Sequence, residues 1–215
     1  MSSPDRPLPT CLQPRRVILF SGHMVDAPGR MPPRFPPARV PAAAARIAAA
    51  LDALEVGPAD LGLTQGAAGA DLLFAEAAQA RGLPLVFLQP FDEDEFIARS
   101  VRPVQDGEHW VARYRAVAAR LPAPPRAMPP APGQGEGDDT PFERCNHWLL
   151  DTALACGGDR VWLLCLWDGR GGDGAGGTAH MVGQVRRHHG HVVHIDTREL
   201  GSADDAGSTR DAGLA

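Results

Sequence analysis

The chain has 215 residues, a formal net charge of −5 at pH 7 and 44% hydrophobic residues, which is enough apolar sequence for one substantial core. Its basic residues are scattered rather than banded, which argues against a nucleic acid as the main partner. All 21 of them are arginine, so a P-loop lysine, a Schiff-base lysine and a lysine general base are excluded.

Several features predict a single cytoplasmic domain. No apolar run reaches the length of a membrane-spanning helix, and the first ten residues, MSSPDRPLPT, lack the apolar core of a signal peptide. We expect one domain over residues 15–200, with a flexible proline- and glycine-rich insertion at 122–140. The polar ends, residues 1–14 and 201–215, are predicted to be disordered.

The metal-ligating residue types do not form a recognisable site. Cys11, Cys145, Cys156 and Cys165 have no CxxC spacing, so neither a zinc site nor a disulfide framework is indicated. The stretch HHGHVVH near the C-terminus does not change this, because residues three apart on a strand point to opposite faces. We therefore predict no metal and no cofactor.

The first predicted strand, residues 17–21, leads into a long loop over residues 22–37. Such a loop at the carboxyl end of a central strand is where open α/β sheets bind their ligands. We expect its start to line a cleft and one of its arginines to close over the ligand. The predicted binding residues of this part are Ser21, Gly22, His23, Arg30 and Arg34.

A glycine turn follows the second predicted strand, residues 61–64, which an alanine-rich helix over residues 38–54 precedes. The turn opens a helix over residues 70–80, and this order is typical of the phosphate-binding turn of dinucleotide folds. Asp71, in the first turn of that helix, is either a capping partner or an acceptor for a ligand hydroxyl. The predicted binding residues here are Gln65, Gly66, Ala67, Gly69 and Asp71.

Helical patterns fill the middle of the chain. A third strand at 83–89 is followed by the acidic sequence DEDEF, whose carboxylates suit the first turn of a helix. Another amphipathic helix is predicted around residues 110–121. Thr140 and Glu143 have the spacing of a capping box, and the helix that they begin is predicted to end near residue 155.

A second glycine-rich loop, residues 169–177, follows the most apolar predicted strand, residues 161–167. A helical pattern then begins at Thr178 and ends near His189, before a last strand at 191–195. The N–H groups of the loop and of the helix's first turn are expected to point at one anion, together with the positive end of the helix dipole. The predicted phosphate-binding residues are Gly174, Gly176, Gly177 and Thr178.

The order of these elements predicts an α/β protein. Five strands alternate with helices, which favours a Rossmann-like, open, mainly parallel sheet of about five strands with helices on both faces.

The two glycine loops also carry a resemblance. TQGAAGADLLFAEAAQARG and DGAGGTAHM together resemble the Smf/DprA–LOG (SLOG) superfamily of Rossmann-like domains. FSGHMVDAPGR, RFP, QPFDEDEF, SV and GGTAHMV are more closely similar to the SLOG-type module that occurs alone or beside tetratricopeptide repeats and nucleotide-cyclase or other signalling domains. The likeness covers residues 17–197.

The resemblance implies a nucleotide-like ligand across the carboxyl ends of the strands, with phosphate at the two glycine loops. In the LOG branch, a glutamate three residues after the motif threonine takes part in cleaving the N-glycosidic bond. Counted from Thr178, that position is Met181 here, and a thioether cannot accept a proton as a carboxylate does. We therefore expect binding without turnover.

Three functions follow as hypotheses. The first is a regulatory domain that senses a nucleotide derivative and signals to a partner. Its alternative is a LOG-like N-glycosidase (phosphoribohydrolase) that acts on nucleoside 5′-monophosphates with Asp71, Glu76 or His180 in place of the missing glutamate. The third, a DprA-like nucleic-acid binder, is disfavoured by the acidic balance. The partners considered are a nucleotide-like small molecule, a signalling protein and a second copy of the chain, with no nucleic acid and no membrane.

Overall fold

The computed structural model describes residues 13–129, 140–170 and 178–201. Much of the predicted disordered ends and of the insertion falls on residues 1–12, 130–139 and 202–215, outside the described residues. The strands are β1 Val17–Gly22, β2 Leu61–Thr64, β3 Leu85–Gln89, β4 Arg126–Ala127, β5 Val161–Trp167 and β6 His191–Asp196. The helices are α1 Val40–Ala53, α2 Ala70–Gln79, α3 Glu93–Phe96, α4 Gly107–Ala118, α5 Pro141–Leu154 and α6 Thr178–Arg187.

The six strands form one open, all-parallel sheet in the order β4-β3-β2-β1-β5-β6. From β1 the chain builds the sheet outward in one direction as far as β4, and then returns to the other side of β1 with β5 and β6. The strand order therefore reverses between β1 and β5. A crevice opens at such a point, at the carboxyl ends of the strands.

Helices cover both faces of this sheet, as predicted. Ile18 and Phe20 of β1 belong to the core that packs against α1, α2 and α4. Val17 and Leu19, which alternate with them, belong to a second core with α5 and α6. A strand that is buried on both faces reads as a continuous apolar run, which is why β1 and β5 are recognisable in the sequence. The predicted α/β, Rossmann-like sheet is confirmed.

Two predicted helix starts are confirmed in atomic detail. The Thr140 hydroxyl accepts from the Glu143 amide and the Glu143 carboxylate accepts from the Thr140 amide, which completes a capping box at the start of α5. Asp92 caps α3 by accepting a hydrogen bond from the Glu95 amide. The Thr140 hydroxyl and the Asp92 carboxylate therefore each satisfy a backbone donor that the first turn of a helix leaves without a partner.

The described elements differ from the predictions most clearly at β3 and β4. The proline-rich segment 122–140, predicted to be a flexible insertion, contains the short strand β4, which pairs with the end of β3. β3 begins at Leu85 rather than Leu83. The carbonyl of Pro84 accepts from the Gly62 amide, but a proline has no N–H with which to continue the ladder. No helix in the described part of the chain is long and apolar enough to cross a membrane.

Candidate functional site

A cavity of about 390 Å³ opens at the carboxyl ends of β1, β2 and β5, where the strand order reverses. Polar and apolar side chains both contribute to its wall. The structure brings together here nine residues that were predicted to bind the ligand: Ser21, Gly22, His23, Arg30, Arg34, Gln65, Ala67, Asp71 and Thr178. Three further predicted residues, Gly174, Gly176 and Gly177, lie outside the described residues.

Two hydroxyl groups meet on one side of this cavity. Ser21 Oγ, near the end of β1, lies 3.1 Å from Thr178 Oγ1, and either atom can be the donor. Thr178 is the first residue of α6, and the first N–H groups of a helix have no partner within it. This corner therefore combines hydroxyl groups, helix amides and the positive end of a helix dipole.

The turn after β2 requires glycine at two positions. Gly66 has a φ of +88°, and a Cβ there would lie 2.5 Å from the Phe87 ring. Gly69 has a φ of +109°, and a Cβ there would lie 2.6 Å from the backbone nitrogen of Val25. Because L side chains rarely adopt such φ values, the turn can pass under the loop that follows β1 only with these glycines.

The amides of this turn bind an internal carboxylate. Asp71 Oδ2 accepts hydrogen bonds from the Gly66 and Ala67 amides, both at 3.3 Å. The amides of Ala68 and Ala70 donate to backbone carbonyls. Gly66 and Ala67 were predicted to donate to a phosphate, and the described structure instead satisfies their amides from within the chain.

Asp71 does not act as the N-terminal cap of α2, and its other predicted role, as an acceptor for a ligand hydroxyl, stays a prediction. The N-cap position of α2 is Gly69, without a side-chain capping bond. Asp71 sits inside the helix and reaches back to the turn. Burial raises the pKa of Asp71 to about 6, although the backbone amides of Ala67, Gly66 and Gly22 favour its charged form. A cavity carboxyl with such a pKa can exchange a proton near neutral pH.

A buried carboxylate also shapes the loop that carries the two arginines. Asp26 accepts from the backbone amides of Arg34 and Phe35 at 3.0–3.2 Å, and its Oδ1 lies 3.6 Å from Arg30 Nε. Phe35 is fully buried and anchors the far end of the loop. These contacts fix the course of the loop, and Arg30 and Arg34 both line the cavity.

Of the three candidate catalytic residues, Asp71 lines the cavity and the other two are engaged elsewhere. Glu76 makes a two-pronged ion pair with Arg113 of α4, with N–O distances of 2.6 and 2.8 Å. His180 bonds to Gln184 on its own helix at 2.8 Å and lines a separate, small recess. Met181, three residues after Thr178, is 2% exposed within the second core.

The cavity also contains residues that the sequence did not single out for binding. Asn146 of α5 lines the wall and accepts from Gln65 Nε2 at 2.7 Å. Trp167 lines it at the end of β5. Asp168 is not among the lining residues but contacts one of them, since its Oδ1 lies 3.5 Å from His23 Nε2. The sequence could have indicated Asp168, because it directly follows a buried strand, where parallel sheets place their binding residues. Asn146 had no such signal, because its helix reaches the cavity only through packing.

Within the described ranges, no group of three or more His, Cys, Asp or Glu side chains is placed to hold a metal ion. Comparison with known proteins assigns no relatives: no family model matches the chain, and no curated protein matches it.

Proposed function

We propose that this protein binds a nucleotide-like small molecule in the cavity and holds its phosphate at the corner formed by Ser21 and Thr178, with Arg34 of the same cavity wall as a further donor. The observation that carries this proposal is the 3.1 Å approach of the Ser21 and Thr178 hydroxyls at the start of α6. Hydroxyls, helix amides and a guanidinium are the groups that proteins use to bind phosphate oxygens.

The size and position of the cavity support a small-molecule ligand. Its volume of about 390 Å³ falls within the range of roughly 300–1,000 Å³ typical of ligand sites. Its position at the reversal of strand order is where open α/β sheets bind nucleotides. The resemblance to SLOG domains supports the same ligand class and adds the proposal of a regulatory role, in which binding signals to a partner protein.

Binding without turnover is the better-supported form of the proposal. The thioether of Met181 replaces the LOG glutamate and packs in the core, so this position offers no acid to a bound ligand. The second candidate function is an N-glycosidase acting on nucleoside monophosphates. One observation favours it, namely that Asp71 lines the cavity and has a pKa of about 6.

A thermal-shift panel of nucleoside 5′-monophosphates and cyclic nucleotides tests binding, because a ligand that binds only the folded state raises Tm. The same mixtures are analysed by chromatography for released base. We expect a shift with at least one nucleotide, no released base, and loss of the shift in Ser21→Ala and Thr178→Val.

Thr152→Val, on α5 and not among the residues that line the cavity, is the matched control and keeps the shift. Released base that disappears in Asp71→Asn establishes the N-glycosidase instead. A panel without any shift or product contradicts both functions.

A further inference from the structure

One helix of the cavity wall presents an aromatic ring and an amide on the same side. Phe142, Asn146 and Leu149 of α5 all line the cavity, and their spacing of four and then three residues places them on one helix face. Phe142 is 38% exposed. A single exposed Phe needs no explanation elsewhere on a surface, but this ring belongs to the wall of a candidate ligand site.

The Phe142 ring is supported by a second aromatic ring. Its centroid lies 5.5 Å from that of Phe91, and the two ring planes are 86° apart. An edge-to-face contact of this kind covers at most one face of a ring. The Arg99 guanidinium lies 4.7 Å from the Phe91 centroid and further supports that ring. Packing therefore positions Phe142 and still leaves it surface on which a planar group can stack.

A fixed side-chain amide lies one helical turn along the same wall. Gln65 Nε2 donates to Asn146 Oδ1 at 2.7 Å, and the backbone carbonyl of Gln65 accepts from Gln89 at 3.0 Å. A glutamine amide has two N–H donors and one carbonyl acceptor, so the bond to Asn146 leaves Gln65 a donor and an acceptor. Glutamine and asparagine recognise the edge of a nucleobase with such a pair.

We propose that Phe142 and Gln65 form a subsite for a heteroaromatic ring, which stacks on Phe142 and bonds through its edge to the Gln65 amide. The proposal rests on the proposed function and assigns residues to the end of the ligand that lies away from the phosphate. Phe91, which supports Phe142, follows β3, whereas Ser21 is on β1, with β2 between them. Strands in a sheet lie about 4.8 Å apart, so the two ends of the cavity are separated by on the order of 10 Å. That separation leaves room for a sugar between the two groups.

The experiment compares the affinities of nucleoside 5′-monophosphates with that of ribose 5-phosphate, by calorimetry. These probes differ in the presence of the base. Loss of a stacking side chain or of an amide that binds a base edge weakens binding by about tenfold. We therefore expect the wild-type chain to prefer its best nucleotide over ribose 5-phosphate by more than about tenfold, and Phe142→Ala and Gln65→Leu each to lower this ratio by about tenfold.

Two further variants separate stacking from simple apolar contact. Phe142→Trp keeps an aromatic face and the wild-type ratio, whereas Phe142→Leu keeps only apolar bulk and loses the ratio as Phe142→Ala does. Trp148→Leu is the matched control, because it removes an aromatic ring of α5 that is not among the residues lining the cavity. It leaves the ratio unchanged.

Equal affinity of the wild-type chain for ribose 5-phosphate and for every nucleotide overturns the inference, while the proposed phosphate corner stands. A wild-type ratio in folded Phe142→Ala, Phe142→Leu or Gln65→Leu overturns it too. If neither ribose 5-phosphate nor any nucleotide binds the wild-type chain, the proposed function itself fails.

Discussion

The guanidinium of Arg34 lies with Nη2 3.0 Å from Nδ1 of His23. A guanidinium can only donate hydrogen bonds, so Nδ1 is the acceptor. A neutral His23 then carries its proton on Nε2, 3.5 Å from Asp168 Oδ1, although the Asp168 backbone amide also approaches Nε2 as a donor, at 3.3 Å. The guanidinium contact with Nδ1 is shorter and charge-assisted, so it decides the tautomer. The loop after β1 is thereby connected through one imidazole to the residue that follows β5.

This arrangement predicts the tautomer of His23. We expect side-chain ¹⁵N NMR at pH 8 to show a protonated Nε2 and an unprotonated Nδ1, because the Arg34 guanidinium requires Nδ1 to accept and lies closer than the Asp168 amide lies to Nε2. In Arg34→Ala the share of the Nδ1–H form increases. His109, exposed on α4, serves as the internal control and keeps its spectrum. A predominant Nδ1–H form in the wild-type chain contradicts the assignment.

Arg34 is also predicted to contribute to ligand affinity. Charge-assisted hydrogen bonds are worth roughly 1.5–3 kcal/mol, so Arg34→Ala should weaken binding of a nucleoside monophosphate by about 10- to 100-fold, measured by calorimetry. Arg120→Ala removes an exposed guanidinium just after α4, which bonds to the Ala116 carbonyl of that helix, and is expected to leave the affinity unchanged. Equal effects of the two variants would place the phosphate away from Arg34.

Gly69 is predicted to be essential for the turn after β2, which passes against the loop that follows β1. An alanine Cβ would lie 2.6 Å from Val25 N and 2.9 Å from His23 O, at a φ of +109°. Strain of this kind costs on the order of 1–3 kcal/mol before the clash is added, so urea unfolding should show a loss of about 2 kcal/mol or more for Gly69→Ala. Gly57 has no atom within 4 Å of a built Cβ, and Gly57→Ala should stay within about 0.5 kcal/mol of the wild type.

Asp60 is predicted to stabilise the start of the domain. Its fully buried carboxylate binds the guanidinium groups of Arg15 and Arg16 and the Gly57 amide. Breaking a buried ion pair costs about 3 kcal/mol or more, so Asp60→Ala should lower the free energy of unfolding by about that amount. Asp52 pairs with Arg81 while its side chain is 67% exposed, and Asp52→Ala should cost under about 1 kcal/mol.

The same ion pairs predict how stability depends on acid. Burial by itself would raise the pKa of Asp60, but the hydrogen bonds from Arg15 and Arg16 outweigh it and lower the pKa to about 2. A carboxyl whose pKa is lower in the folded chain stabilises it above the unfolded pKa near 4 and loses this effect as the pH falls towards 2. In urea titrations between pH 4 and pH 2, the free energy of unfolding of Asp60→Ala should therefore fall less steeply than that of the wild-type chain.

Asp71 predicts the opposite trend over a different pH window. Its folded pKa of about 6 exceeds the unfolded value near 4, so the folded state binds the extra proton between these values. The contribution of Asp71 is therefore fully present below pH 4 and is lost as the pH rises through 6. The change amounts to about 3 kcal/mol, at about 1.4 kcal/mol per pKa unit.

Urea unfolding of the wild-type chain and of Asp71→Asn between pH 4 and pH 8 measures this pH-dependent contribution of Asp71 to the free energy of unfolding. The variant has no group to titrate at this position, so the difference in stability between the two proteins should shift in favour of the variant as the pH rises. A difference that is constant over the window would mean that Asp71 titrates equally in the folded and unfolded chains.

The sequence determined those features that depend on neighbouring residues. Strands β2 and β5 have the predicted bounds, because a strand buried on both faces is a short apolar run between turn residues. The capping box at Thr140 was predictable because its two partners are three residues apart. The position of the cavity also followed from the sequence, since the carboxyl ends of parallel strands share one edge of the sheet.

Tertiary structure alone decided which groups face each other across that edge. Ser21 and Thr178 are 157 residues apart, and no periodicity relates them. The ion pair of Glu76 with Arg113 spans 37 residues and removed one catalytic candidate from the cavity. The residues that Asp71 bonds to, Gly66 and Ala67, are close to it in sequence. That its carboxylate binds this turn nevertheless depends on its burial, which only the tertiary structure shows. Local preference predicts elements, whereas burial and packing decide which donors remain for a ligand.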